Sequence, residues 1–170
     1  MDTSLSDAKA RGLDYSQRRQ LPLSDRLGWG MDGVVFYTDV STAIKSFKYK
    51  DLYRQELAVY LRLRERNVEK VCGFNVPKLV NHHDELMVIE MEFVTPPFVV
   101  DFACAGVDVP LTEYSQEKMQ EWLDGRAEIF GDDWAQARRV YYGFKTYGIH
   151  LADLNPGNIV FASPPISGIL

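Results

Sequence analysis

Two polar side chains near the end of the sequence have the types and spacing of a proton acceptor beside a metal ligand. Asp153 and Asn158 lie five positions apart, in a polar stretch between a helical pattern that ends at Gly148 and a short apolar strand. Apolar neighbours would hold this stretch against a core: Ile149, Leu151, Leu154 and Ile159. An anchored carboxylate beside an anchored amide suits proton acceptance next to a metal ion. The alternative is an Asx-rich turn with a purely structural role.

A lysine and a glutamate in the first half of the chain form a second candidate pair. Lys45 lies in a predicted strand over 41–47, and Glu56 lies in a predicted helix over about 51–66. Glu56 falls within the apolar stripe of that helix, which consists of Leu52, Val59 and Leu63. A carboxylate facing the core is costly without a cation, and Lys45 is the obvious partner. For Lys45 alone, the simpler alternative is a solvated strand lysine.

Three glycines occupy the turn between two strand-like segments that precede Lys45. Gly28, Gly30 and Gly33 have the spacing G-x-G-x-x-G. Glycine lets a backbone approach a phosphate closely because it has no Cβ atom. A hairpin also uses glycines for its turn, so the spacing alone leaves both uses open. Asp32, at the tip of this turn, would oppose a polyphosphate unless its side chain pointed to solvent.

The elements that must position these groups are strands followed by helices. Strands are predicted over 76–80 and 86–94, with a polar turn between them, and the second strand stops at Thr95-Pro96-Pro97. Two helices follow, from about Ser115 to Phe130 and from Asp132 or Asp133 to about Phe144. Their apolar faces predict a helical core, and the second helix leads directly into the Asp153 stretch.

Composition bounds the class of protein. The chain has 170 residues, of which 46% are hydrophobic and 25% charged, as expected of a globular chain with one domain or two small lobes. A net charge of −5 provides no basic field for nucleic acid, and no apolar run approaches a membrane span. Two cysteines without metal-ligand spacing indicate reduced thiols in a cytoplasmic protein. Residues 1–20 are polar and are expected to form a flexible extension or a loosely docked arm.

Over roughly residues 27–161, the chain resembles the protein-kinase superfamily. Five features carry this resemblance in the family's order: the glycine turn, the strand with Lys45, the helix with Glu56, the strand that ends at two prolines, and the D-x-x-x-x-N spacing. The string Asp-Leu-Asn-Pro-Gly-Asn that starts at Asp153 also resembles aminoglycoside- and choline-kinase-like phosphotransferases and small bacterial kinases. The resemblance implies an α+β, protein-kinase-like fold. Residues 21–94 would form an antiparallel-sheet N-lobe with one helix. Residues 95–170 would form the hinge and a truncated, mainly helical C-lobe.

The resemblance also implies roles for individual residues in binding ATP and Mg²⁺. Asp153 would be the catalytic base, Lys45 would contact the α- and β-phosphates, and Glu56 would orient Lys45. Asn158, together with Asp153, would hold Mg²⁺. The residues expected to contact the nucleotide are Gly28, Gly30 and Gly33 over the phosphates, Val35, Ala43, Lys45, Met91 as the gatekeeper, and the backbones of Glu92 and Val94 at the adenine edge.

The sequence departs from the family's pattern around the Asp153 loop. Leu151 and Ala152 stand where the family has histidine and arginine. The family's D-F-G motif, whose aspartate binds magnesium, does not follow Asn158. Asp101-Phe102-Ala103 looks similar but precedes the loop, and Asp101 is expected to cap a helix or to face a ribose.

Three functions follow from this resemblance. The favoured one is a minimal kinase that moves the γ-phosphoryl group of ATP to a protein Ser/Thr hydroxyl. The alternatives are a pseudokinase that serves as a binding module, and a small-molecule kinase. Because a metal carboxylate is missing, the isolated chain is expected to be a very slow kinase or none, unless a partner protein, a second copy of the chain or Asp101 supplies it. The expected partners are a nucleotide and a protein substrate or binding partner, with no nucleic acid and no membrane.

Overall fold

Residues 3–99 and 101–162 are described by a computed structural model, which has a mixed α+β fold with an antiparallel main sheet and a smaller sheet in which one pair of strands is parallel. The helices in these ranges are α1 (Thr3–Arg19), α2 (Lys50–Glu65), α3 (Gln116–Phe130) and α4 (Trp134–Lys145), with a 3₁₀ turn (Gly131–Asp133) before α4. The tail after Phe161, predicted to be a turn or a frayed end, lies outside the described residues from position 163 onward.

The main sheet has five antiparallel strands in the order β1-β2-β3-β7-β6. They are β1 (Leu23–Trp29), β2 (Gly33–Thr38), β3 (Thr42–Phe47), β6 (Leu79–His83) and β7 (Val88–Glu92). A second sheet, in the order β11-β8-β5-β4, contains β4 (Lys70–Val71), β5 (Phe74–Asn75), β8 (Phe98–Val99) and β11 (Ile159–Val160). The third sheet pairs β9 (Gly106–Val107) with β10 (Ile149–His150). Since β3 lies at the centre of the main sheet, its side chains are held by neighbours on both sides.

Alternation along β3 sends its side chains to opposite faces of the main sheet. Ile44 packs in a small apolar cluster with residues of α1, whereas Phe47 belongs to the larger core that includes α2. Lys45 lies on the α2 side with Ala43 and Phe47, as the sequence predicts. Because a helix covers each face, all six residues of β3 are buried.

The prediction of a flexible extension is wrong for residues 3–19, which form α1 on the outer face of the main sheet. Ala8 and Tyr15 are buried there. A Cβ atom on Gly12 would collide with the ring of Phe36, so glycine lets the helix approach the sheet closely. The face of α1 that contacts the sheet includes small residues, with polar residues between them. The apolar periodicity by which a helix is recognised in a sequence is therefore weak.

The edge strand β6 is shifted from its predicted position over 76–80. Its residues Leu79–His83 pair with β7, so part of the predicted polar turn is strand. Pro77 has no N–H to give to a ladder, and the Val76 N–H donates instead to the Glu69 carbonyl at 3.0 Å. The polar side chains that suggested a turn are accommodated because β6 is an edge strand, with one side free of a neighbour.

The predicted helices agree with the structure to within a residue or two at most ends. Ser115 caps α3 by accepting a hydrogen bond of 3.3 Å from the Lys118 N–H. Asp133 stands at the cap position of α4, but its side chain makes no capping hydrogen bond, contrary to expectation. Gly148, just after α4, has a positive φ of 72°. None of the helices in the described residues has the length and apolar character that crossing a membrane requires.

Candidate functional site

Lys45 and Glu56 form a buried ion pair between β3 and α2. The Lys45 Nζ lies 2.7 Å from Glu56 Oε2, and the side chains are only 11% and 2% exposed. The contact predicted from the apolar stripe of α2 is therefore present. At this depth the charged hydrogen bond is shielded from water, and each group is costly to bury without the other.

Asp101 is a second carboxylate partner of Lys45. Its Oδ1 accepts a hydrogen bond of 3.0 Å from Lys45 Nζ and another of 3.1 Å from the Ala103 N–H. Asp101 has a positive φ of 80°, an uncommon conformation for a residue with a side chain. The prediction that Asp101 caps a helix is wrong, because residues 101–105 form a turn that leads into β9. One feature of the sequence could have indicated the buried position of Asp101: it is an isolated acidic residue in an apolar segment.

The charges of this cluster depend on one another. Burial lowers the pKa of Lys45, but the carboxylates of Glu56 and Asp101 outweigh burial and raise that pKa above its ordinary value. Burial also raises the pKa of Glu56 to about 6, with Lys45 opposing the rise and Asp101 adding to it. At neutral pH, Lys45 therefore carries its charge and Glu56 is mostly ionised.

A cavity of about 280 Å³ opens beside this ion pair. Six of the nine residues predicted to contact a nucleotide line it: Val35, Ala43, Lys45, Met91, Glu92 and Val94. Sequence reasoning missed Tyr37, Tyr60, Pro77, Phe93 and Phe98 as lining residues. Tyr37 follows Val35 by two positions along β2, and Tyr60 follows Glu56 by four along α2. Both spacings keep a residue on the same face of its element, so this signal was available.

The three predicted glycines do not line the cavity. They belong to the β1–β2 hairpin, whose turn is closed by a hydrogen bond of 3.0 Å from the Gly30 N–H to the Gly33 carbonyl. A Cβ atom on Gly33 would collide with the Ser46 carbonyl oxygen, so the close packing of β2 on β3 explains this glycine. Gly30 has open space around it and Gly28 has ordinary contacts.

The end of β7 and the segment after it line the cavity, and two of their N–H groups bond to other parts of the backbone. The Glu92 N–H donates to the Lys78 carbonyl at 3.0 Å, and the Phe93 N–H donates to the Ser41 carbonyl at 3.1 Å. Within residues 3–99 and 101–162, the Val94 N–H makes no backbone hydrogen bond. Val94 therefore has a donor available at the cavity wall, where a planar heterocycle could accept it.

The Asp153 loop is tied together by amide side chains. The Asn155 Nδ2 donates to Asp153 Oδ1 at 2.7 Å, and the Asn158 Nδ2 donates to Asp153 Oδ2 at 3.1 Å and to its carbonyl at 2.9 Å. Leu151 and Leu154 are buried and anchor the loop from below. The Asp153 side chain is exposed and fixed, with both carboxylate oxygens oriented by neighbours. The predicted proximity of Asp153 and Asn158 is present.

A second cavity, of about 360 Å³, lies beside the residues that precede Asp153. His150, Leu151 and Ala152 form one wall. The remaining wall is rich in aromatic and loop residues: Pro110, Leu111, Thr112, Glu113, Tyr114, Met119, Trp122, Tyr141 and Lys145. The Lys145 Nζ lies 4.5 Å from the centre of the Tyr141 ring. The residues directly before Asp153 thus line a cavity that is rich in aromatic side chains.

The oxygen donors of the Asp153 loop suit a hard cation. No three His, Cys, Asp or Glu side chains converge as a metal site in the described parts of the chain. Asp153 and Asn158 lie together, however, and Mg²⁺ is commonly held by one or two carboxylates, with waters and substrate phosphates completing its octahedron. This donor set fits Mg²⁺ that arrives with a nucleotide, and it does not form a closed protein cage.

Comparisons with known proteins add no assignment: no protein-family model matches the chain, and a search of curated proteins found no similar sequence.

Proposed function

We propose that this chain is a protein-kinase-like phosphotransferase that binds ATP in the cavity beside Lys45 and Glu56. One observation carries the proposal: a buried lysine, paired with a buried glutamate, projects from the central strand into a cavity lined by apolar side chains. A charged lysine at the base of such a cavity is suited to bind an anionic group, and the apolar walls suit a flat heterocycle.

The residues that line the cavity support one orientation of the nucleotide. Val35, Ala43 and Met91 offer apolar surface to a purine, and the Val94 N–H offers a hydrogen bond at its edge. The phosphates would extend from Lys45 towards the cavity mouth, because 280 Å³ lies just below the usual range of ligand pockets, about 300–1,000 Å³, and cannot enclose a whole nucleotide. The protein-kinase-like arrangement, with residues 21–94 and 95–170 as two lobes, belongs to this proposal.

Asp153 would accept the proton from the acceptor hydroxyl. Asn155 and Asn158 both bond to its carboxylate, so its orientation does not depend on the substrate. Asn158 and Asp153 would hold Mg²⁺, which neutralises charge on the transferring phosphoryl group when it is bound. Lys45 would position the phosphates, and Glu56 would hold Lys45 in place. In this role the chain contributes mostly positioning and electrostatic stabilisation.

The favoured acceptor is a protein Ser/Thr hydroxyl. A small-molecule acceptor is the second candidate, and the 360 Å³ cavity supports it because His150 to Ala152 form its wall directly before Asp153. Tyr114, which lines this cavity and is exposed, provides the test. Tyr114→Ala should raise the KM of a small-molecule acceptor without changing the KM of ATP. An unchanged KM for the small-molecule acceptor in this variant would show that the cavity is not the acceptor site.

Calorimetry with ATP and Mg²⁺ tests nucleotide binding. Lys45→Met should weaken binding roughly 10–100-fold, because a charge-assisted hydrogen bond contributes about 1.5–3 kcal/mol. Lys118→Met removes an equal charge from the exposed face of α3 and should leave the affinity unchanged. Equal affinity in the wild type and in a folded Lys45→Met variant would refute the role of the lysine.

A radiolabelled phosphoryl-transfer assay tests the chemistry. Asp153→Asn keeps the size of the side chain and one of its two acceptor atoms but removes the base, so transfer should fall by about 10²–10⁴-fold while ATP binding persists. ATP binding without any transfer in the wild type would identify the chain as a pseudokinase. Transfer that is unchanged in Asp153→Asn would show that the Asp153 loop is only a structural turn.

A further inference from the structure

Two short strand ladders bring the Asp101 turn to the Asp153 loop. In one, β8 pairs antiparallel with β11, with Val99 opposite Ile159. In the other, β9 pairs antiparallel with β10, with Gly106 opposite His150. The turn between β8 and β9 and the loop between β10 and β11 therefore leave the same pair of ladders. Antiparallel partners place the connected ends side by side, so the two connections lie next to each other.

The environment of Cys104 supports this placement. Burial is the largest cause that raises the pKa of its thiol, and the carboxylates of Asp32, Asp153 and Asp101 add to it. The Cys104 thiol thus lies within electrostatic range of carboxylates from the glycine turn, from the Asp153 loop and from its own turn. Of these three residues, Asp101 lines the nucleotide cavity.

Phe102 anchors Asp101 in this position. Its ring is fully buried, with centroids 5.3 Å from Tyr60 of α2 and 5.6 Å from Phe144 of α4. The Ala105 N–H closes the turn by donating to the Phe102 carbonyl at 3.0 Å. A residue next to such an anchor has little freedom, so the Asp101 carboxylate stays near Lys45 whether or not they are bonded.

We propose that Asp101 binds the divalent cation that accompanies the nucleotide, exchanging its bond to Lys45 for a bond to the metal. This inference rests on the proposed function. A phosphate bound by Lys45 competes with Asp101 for the same ammonium group, which lies 3.0 Å from Asp101 Oδ1. The displaced carboxylate would then face the phosphate, and two anions at that distance repel unless a cation lies between them. Mg²⁺ between Asp101, Asn158 and the phosphates removes the conflict.

Asp101 as a metal ligand differs from what the order of motifs along the chain indicates. The motif Asp101-Phe102-Ala103 precedes the Asp153 loop, so from chain order Asp101 is only one of three possible sources of the metal carboxylate, beside a partner protein and a second copy of the chain. Strand pairing, and not chain order, determines which groups meet. With Asp101 in place, the isolated chain supplies two carboxylates and one amide, and no partner protein or second copy is needed to complete the donor set.

Calorimetric titration of ATP, with Mg²⁺ and separately with EDTA, tests the exchange in the wild type, in Asp101→Asn and in Asp39→Asn. Asp39 is an exposed aspartate in the β2–β3 turn and serves as the matched control. We expect Mg²⁺ to strengthen ATP binding in the wild type and in Asp39→Asn. In Asp101→Asn this gain should shrink at least about tenfold, since even an outer-shell partner of a metal ligand contributes roughly 10–100-fold to metal affinity. Binding in EDTA should be as tight or tighter, because one anion facing the phosphates is removed.

The outcomes separate the two proposals. A wild type that binds no ATP in either buffer refutes the proposed function. ATP binding with the full Mg²⁺ gain retained in Asp101→Asn refutes the exchange alone, and unchanged EDTA affinity in the variant shows that it is folded.

A second measurement needs no variant. Mn²⁺ added with ATP to the wild type should broaden the amide NMR signals of residues 101–103 together with those of 153–158, since paramagnetic broadening falls steeply with distance from the ion. Broadening confined to residues 153–158 would overturn the proposal.

Discussion

The Tyr15 hydroxyl donates a hydrogen bond of 2.7 Å to Glu90 Oε2 across the interface between α1 and the main sheet. Glu90 is a buried carboxylate of β7, and it also accepts a hydrogen bond of 3.3 Å from Thr42 and lies 3.4 Å from the Arg19 guanidinium. Burial and Glu90 together raise the pKa of Tyr15 well above its ordinary value, so the hydroxyl remains a donor. The helix therefore supplies donors that a buried acid in the sheet requires.

Tyr15→Phe should destabilise the chain by about 1–3 kcal/mol, because it leaves a buried carboxylate with one donor fewer. Tyr142→Phe removes a hydroxyl from a tyrosine that is 42% exposed and serves as the control. Urea unfolding followed by circular dichroism measures both. Equal stability of the two variants would mean that α1 contributes only its apolar contacts.

Phe102→Ala should lower the free energy of unfolding by about 3–5 kcal/mol, the usual range for truncating a buried phenylalanine. The ring is fully buried between α2 and α4, so its loss opens a cavity that joins both elements. Tyr49→Ala, at an aromatic residue that is 57% exposed, should change stability little. A loss in Phe102→Ala as small as in this control would show that the Asp101 turn is not held by the core.

Glu56 should make stability fall as pH rises through a defined window. Burial raises its pKa from 4.5 to about 6, so the folded chain holds the proton more tightly than the unfolded chain does. Ionisation between about pH 4.5 and 6 therefore costs roughly 2 kcal/mol of stability, at about 1.4 kcal/mol for each pKa unit. Urea unfolding at pH 4.5 and pH 7 should show this loss in the wild type but not in Glu56→Gln.

The control for this pH effect is Glu128→Gln, at an exposed carboxylate of α3, which should follow the wild type. Parallel pH trends in the wild type and in Glu56→Gln would show that Glu56 is not ionising in a buried site.

Asn155→Ala should reduce turnover by about 10²-fold while leaving ATP affinity intact, because a misplacement of about 1 Å at a reacting group has that effect. Asn155 bonds to Asp153 Oδ1 at 2.7 Å, and its own Oδ1 accepts from the Gly157 N–H at 2.8 Å. Gln120→Ala, on the exposed surface of α3, is the control. A fall in affinity that matches the fall in turnover would point to collapse of the loop, and not to a positioning role.

Local pattern sufficed for part of this structure. Apolar residues with a period of 3.6 predicted α2 and α3 closely, because a segment with this pattern buries one apolar face when it folds as a helix. The Lys45–Glu56 contact followed from the same stripe, since a carboxylate facing a core requires a cation. Asp153 and Asn158 met because they share one short loop. In each case the physical constraint acts within one element or between neighbouring ones.

Docking of α1 shows where local pattern was insufficient. Its contact with the sheet depends on the fit of Gly12 against Phe36 and on a buried acid in a distant strand. Neither feature produces an apolar periodicity in the sequence. Small residues contribute little to such a pattern, although they allow two elements to pack closely.

The sequence by itself determined the helices α2, α3 and α4, the buried ion pair and the amide-bound aspartate loop. Only the tertiary structure decided that the Asp101 turn lies beside that loop, because its position comes from β8–β11 and β9–β10 pairing between segments far apart in the chain. Two-residue strands carry almost no propensity signal. Their pairing is fixed by hydrogen bonds and by the packing of Phe102 on α2 and α4, which exist only once the whole chain has folded.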